Sequence, residues 1–273
     1  MNVGGLPQIS PPLVPSSLSV PGKETIKIGA TLPSGIDGAN LKAWFRADTG
    51  VTSDVNGVSA WANQGTLGGT LAQATNAKKP HDGHVIRGQA ALSFDGGDEL
   101  VSSLAASAWN FLHNGTGATL LMAYRLSVPG VVGFLDTGNS GSATALGICL
   151  SHTGTQHRIT SGNGVTGVVA QNGKAGFLGG FAVVVARLKT GGSPAAQDIV
   201  DQGKHFQSAF ANAAGAGDAP ATLNVGALVG LSIPFTGFVS EIAAWGSYLT
   251  DEQLDSLEMY LAERYRYCGD AGA

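Results

Sequence analysis

Three acids and two glycines stand together in LSFDGGDEL, residues 92–100. Asp95, Asp98 and Glu99 could offer oxygens to calcium, which gathers about six to eight of them. The chain has no D-x-D-x-D-G loop to supply the remainder, so a second loop would have to complete the shell. The same letters suit a tight turn, because aspartate hydrogen-bonds local backbone and glycine accepts positive φ. A turn is the expected reading, with calcium at Asp95, Asp98 and Glu99 as the alternative. No catalytic residue and no cofactor is assigned.

Other chemistry-bearing residues resolve in the same direction. His81, Asp82 and His84 in PHDGH could ligate a metal, but they sit in a Pro/Gly-rich stretch without a third cluster nearby in sequence. They are expected to be solvent-exposed loop residues, and so are His152 and His157. GNGVTG (162–167) spells G-x-G-x-x-G, yet a strand-like GVVA follows it where a dinucleotide site needs a helix N-terminus. A glycine hairpin is expected. Trp44, Trp61 and Trp245 lie in strand patterns and should be buried, whereas Trp109 is the tryptophan expected at a surface, where it could stack on a sugar. Cys149 and Cys268 are far apart and in no CxxC, so separate structural thiols are the reading, with pairing left open.

Composition limits the partners. The net charge is −4 and no basic run occurs, which argues against nucleic acid. No stretch reaches the roughly 18–20 apolar residues of a membrane span. Charged residues are 12%, against a usual share of roughly 25%. Glycine numbers 41 in 273 residues, twice the average of about 7%. This is the profile of an all-β protein with many tight turns. MNVGGLPQISPP lacks a basic region followed by an apolar one, so a chain made in a cytoplasm and not exported by a signal peptide is expected.

Two parts must position these residues. Residues 1–38 carry Pro7, Pro11, Pro12, Pro15, Pro21 and Pro33 without helical period. They read as an extended anchoring arm held by the chain's own domain or by a neighbouring subunit, with one strand-like run around Ile26 and Ile28. From residue 39 to 273, short β-favouring runs such as LKAWFRAD, ATLLMAYRL, FAVVVARL and GFVSEIAAWG recur between Gly, Asn, Asp, Ser and Pro. Such spacing without intervening helices predicts two antiparallel sheets packed as a sandwich. One helix is expected at about 251–267, lying across an end of the sandwich. Thr250 and Gln253 form its capping box, Leu254, Leu257, Leu261 and Tyr265 its apolar face, and Arg264, Arg266 and Gly269 its end. SSLAASAWNFLH (102–113) is a weaker helical turn.

These residues resemble a concanavalin A-like, laminin-G-like jelly-roll domain of the kind found in phage and bacterial surface proteins. The likeness rests on Leu41, Trp44, Ala47 and Asp48, then on Gly57, Val58, Trp61, Asn63 and Gly65. Gln73 and Pro80 follow, then Gly88, Ala91, Leu92, Phe94, Asp95, Gly96, Asp98 and Leu100. Gly237, Val239, Glu241, Ile242 and the run 249–257 close the pattern. The resemblance implies a jelly roll whose relatives mostly bind sugars or proteins, some through calcium, or build surfaces. Relatives that cleave glycans carry several acids on one strand, whereas SEIAAW offers Glu241 alone, and glycoside hydrolysis needs two carboxylates. The expectation is therefore non-enzymatic: a phage virion structural protein decorating a head or tail. Its arm would join it to other virion proteins and to copies of itself, in a trimer or larger assembly. The alternative is a glycan-binding adhesin or receptor-binding module of a phage tail or bacterial surface, gripping host glycan.

Overall fold

A computed structural model of the chain describes residues 40–139, 145–165, 167–171, 180–189, 196–201, 204–209, 215–229 and 232–265, with Leu32, Gly35, Ile36 and Gly38. Pro7, Pro11, Pro12, Pro15, Ile26 and Ile28 of the expected arm lie outside the described residues, as do Arg266, Cys268 and Gly269.

The first strands are β1 (Leu41–Arg46), β2 (Val51–Asp54), β3 (Gly57–Ala62), β4 (Thr70–Ala72), β5 (His81–Ile86), β6 (Gln89–Asp95) and β7 (Leu100–Ser102). A 3-10 turn (Ala106–Leu112) leads to β8 (Ala118–Leu126), β9 (Val131–Asp136), β10 (Gly147–Thr153), β11 (His157–Gly162) and β12 (Gly167–Gln171). Then come β13 (Phe181–Lys189), β14 (Ala196–Asp201), β15 (Lys204–Ala209), β16 (Asn224–Val225), β17 (Thr236–Trp245) and the helix α1 (Asp251–Tyr265).

The strands form two antiparallel sheets, as the sequence predicts. One has eight strands in the order β15-β14-β13-β8-β17-β6-β5, with β1 pairing the second half of β17. The other has nine, in the order β12-β11-β10-β9-β16-β7-β4-β3-β2. Between them lies a core that includes Phe45, Trp61, Phe94, Trp109, Tyr124, Phe134 and Phe235. Phe94, Phe134 and Phe235 pack edge to face, with centroids 5.5–5.7 Å apart.

The apolar runs of β8 and β13 have a second cause. Leu120, Met122, Tyr124, Val184 and Ala186 enter the inter-sheet core, while Leu121, Ala123, Val183 and Val185 face the other way. There α1 covers them with Leu254, Leu257, Tyr260, Leu261 and Tyr265. The helix thus lies on the outer face of the eight-stranded sheet, not across an end. Its capping box forms as expected: Gln253 N donates to Thr250 Oγ1 at 3.3 Å and Thr250 N to Gln253 Oε1 at 2.9 Å. Arg187 fixes the same end, donating to the Leu249 carbonyl at 3.0 Å and to Asp251 at 2.6 Å. Among the described residues no helix is long and apolar enough to cross a membrane.

Two β-bulges decide which side chains reach the outer face. In β17 the register shifts between Val239 and Glu241, so Val239 and Ile242 both point into the core. Phe238, Glu241, Ala243 and Trp245 are left on the outer side. In β5 the shift falls between His81 and His84, at Asp82 and Gly83. Residues three apart on a regular strand face opposite ways. The bulge, with Gly83 at φ +79°, turns both histidines to one side.

Candidate functional site

LSFDGGDEL is a turn in the structure. Asp95 Oδ1 accepts the Gly97 N–H at 2.7 Å, Asp98 Oδ2 accepts the Asp95 N–H at 2.8 Å, and Gly96 takes φ +97°. Glu99 pairs with Lys78 Nζ at 2.8 Å and accepts from Asn224 Nδ2 at 3.1 Å. The acids thus answer donors of their own neighbourhood. Asp98, only 3% exposed, has its pKa pushed up to about 6 by burial, with the Asp95 charge adding to the rise and the Asp95 N–H opposing it.

Glu241 lies on the outer face beneath α1 and is 1% exposed. Trp44 Nε1 donates to Oε1 at 2.7 Å, the Tyr260 hydroxyl to Oε1 at 2.9 Å, and the Tyr265 hydroxyl to Oε2 at 2.9 Å. Arg264 Nε stands 3.0 Å from Oε2, and Arg264 Nη2 reaches Asp48 at 3.0 Å. Arg46 grips Asp48 through both oxygens, at 3.0 and 2.6 Å. Burial and then the Glu241 charge raise the Tyr260 and Tyr265 hydroxyls well above their ordinary range, so both remain donors. Burial opposes the Asp48 charge, but the bonds from Arg46 and Arg264 outweigh it and hold the carboxyl below its usual range. A second carboxylate does stand near Glu241, but the Arg264 guanidinium bridges the two, and of the pair Glu241 is buried while Asp48 is exposed. The pair fastens α1 to the sheet.

Three expectations from sequence need correction. Trp109 is 1% exposed, with Nε1 donating to Ser102 Oγ at 3.1 Å and its ring 6.1 Å from Phe111. Its turn folds inward over the core, so it offers no sugar platform. His152 and His157 are 0% and 1% exposed and pair across the β10–β11 hairpin, with ring centroids 5.5 Å apart. The His157 ring is hydrogen-bonded to the Tyr124 hydroxyl. His81 and His84 are exposed as expected, but on an edge strand instead of a loop. GNGVTG does close a hairpin, with Gly162 opposite Gly167. Trp61 and Trp245 are buried, and Trp44 is half-buried beside the helix.

The exposed chemistry gathers at the open end of the outer face. Register places Arg125 of β8, Phe238 of β17, Ser93 of β6 and His81 of β5 in one row across four strands. Adjacent strands lie about 4.8 Å apart, so the row spans roughly 14 Å. The half-buried Phe238 ring has the Arg125 guanidinium 5.6 Å from its centroid and the His84 ring at 5.2 Å. Arg125, His81 and His84 are exposed. These residues are scattered over the chain, and only strand pairing with its bulges assembles them.

No family model and no curated protein matches the chain. Solved structures do. A Trypanosoma rangeli sialidase in complex with sialic acid superposes with TM-score 0.56 at 15% identity, covering 86% of this chain and 34% of that one. The binding domain of botulinum neurotoxin DC in complex with SialylT gives 0.56 at 8% identity, covering 82% and 52%. The binding domain of botulinum neurotoxin serotype G gives 0.58 at 8%, covering 82% and 51%. The chain therefore spans about a third to a half of the proteins it resembles, and the likeness is one of β-sandwich fold. It corrects the non-enzymatic expectation, since this architecture also occurs within sialidase chains. The resemblance stands as a β-sandwich fold, and none of these neighbours is a phage protein.

Proposed function

We propose that the chain is a carbohydrate-binding β-sandwich module. The observation that carries this reading is the Phe238 row: a partly exposed aromatic face, flanked by guanidinium and imidazole donors, on an open sheet surface. A sugar presents an apolar C–H face and a rim of hydroxyls, and such a surface meets both. Neighbours of the same fold support it, because two of them were solved with sialic acid or a sialylated ligand bound. Of the two roles set out from the sequence, the glycan-binding module gains this support. The virion scaffold draws on arm residues outside the described ones. The test is a glycan array with the full chain. Binding to a defined set of sugars, weakened when Phe238 is replaced, is the expected result, and a flat array would overturn the proposal.

A further inference from the structure

The row has a direction, and the direction points to a ligand class. Arg125 stands at one end, and among the described residues no carboxylate pairs with it; its guanidinium rests over Phe238. The acids near the row sit toward the other end and are engaged. Asp95, on β6, holds the Gly97 amide, and Asp82, on β5, accepts from Ser53 Oγ at 2.6 Å. Ser93 and His81 continue the row with a hydroxyl and an imidazole, groups suited to neutral hydroxyls. On the far side, Phe181 is buried against Tyr265, with centroids 4.8 Å apart, so the row ends in a wall behind Arg125.

We infer that this row binds an oligosaccharide ending in a carboxylated sugar. The carboxylate meets Arg125, a ring stacks on Phe238, and the chain of neutral sugars runs across Ser93 toward His81. A planar guanidinium matches a carboxylate through two parallel N–H···O bonds, which a neutral hydroxyl cannot reproduce. The span of roughly 14 Å suits two or three sugar units and exceeds one. The inference rests on the sugar-binding reading above and adds the site, the polarity and the ligand class.

Calorimetry with the full chain tests it, using sialyllactose, a glucuronic acid-terminated disaccharide and lactose as probes. The native chain is expected to bind the two acidic probes at least about tenfold more tightly than lactose. Arg125→Ala should bring all three to similar, weak affinity with an unchanged melting temperature. Phe238→Ala should weaken all three together; Phe238→Leu, which keeps bulk without a ring face, serves if the alanine variant does not fold. Equal affinity for acidic and neutral probes overturns the ligand class. Acidic preference that survives Arg125→Ala and both Phe238 variants overturns the site, while leaving the carbohydrate-binding function standing. Failure of the native chain to bind any sugar on the array overturns both.

Discussion

At one end of the outer sheet face, Arg46 and Arg264 meet Asp48 and Glu241 where a helix carrying two tyrosines packs on the sheet. At the other end, Arg125 and His84 flank Phe238, His81 lies further along the row, and all three polar residues stay exposed. Both regions set guanidinium groups beside aromatic rings, but among the described residues those of the first pair with carboxylates and Arg125 does not. Under α1 the Glu241 carboxylate is desolvated and must be matched: it accepts from Trp44, Tyr260 and Tyr265, with the Arg264 cation 3.0 Å away. Beyond it, Arg125, His81 and His84 are exposed and remain available to a ligand. Coverage and ion pairing together separate the structural polar cluster from the candidate binding surface.

The contrast predicts unequal costs. Glu241→Ala should be the most damaging change, because it strands Arg264 and both hydroxyls in a buried site; about 3–5 kcal/mol of stability should be lost in denaturant titration. Leu257→Ala, beneath the same helix, should cost about 2–5 kcal/mol, toward the low end if the helix settles into the gap. Tyr124→Phe removes the hydroxyl bonded to His157 inside the core and should cost about 1–2 kcal/mol by the same measurement. If these three match the cost of Arg125→Ala, the distinction between the covered and open regions fails. Arg125→Ala should leave the melting temperature essentially unchanged, since its side chain is exposed.

A pH series sharpens the picture at the acidic turn. Asp98 titrates near 6 in the folded chain, above the ordinary carboxylate range. The folded state therefore holds a proton that the unfolded state has released between that range and pH 6. Stability from this group is greatest in acid and falls as pH rises through that window. Asp98→Asn keeps an acceptor for the Asp95 amide and cannot ionise, so the decline should flatten there. An unchanged slope would refute the assignment.

Much of the architecture was legible before the structure. The strand runs, the capping box and the apolar stripe of α1 follow from local pattern, and Asp-Gly-Gly reads correctly as a turn. What escaped depends on distant pairing. HDGHVI looks like a loop because its residues are polar and its glycine breaks the alternation, yet β6 recruits it as an edge strand. His152 and His157 look exposed in isolation, but hairpin register drives both inward. The Phe238 row has no local signature at all, since its members stand at 81, 93, 125 and 238 and two inserted residues set their phase.

The placement of α1 also bears on what the outer sheet face would present without it. Were the helix to detach, Leu121, Ala123, Val183, Val185, Ala243 and Trp245 would form a continuous greasy wall on neighbouring strands. Such a wall invites self-association, so the helix acts as a built-in shield for the sandwich behind it. The Arg187–Asp251 clasp at its start and the Glu241–Arg264 pair near its end are two of the latches that hold the shield in place.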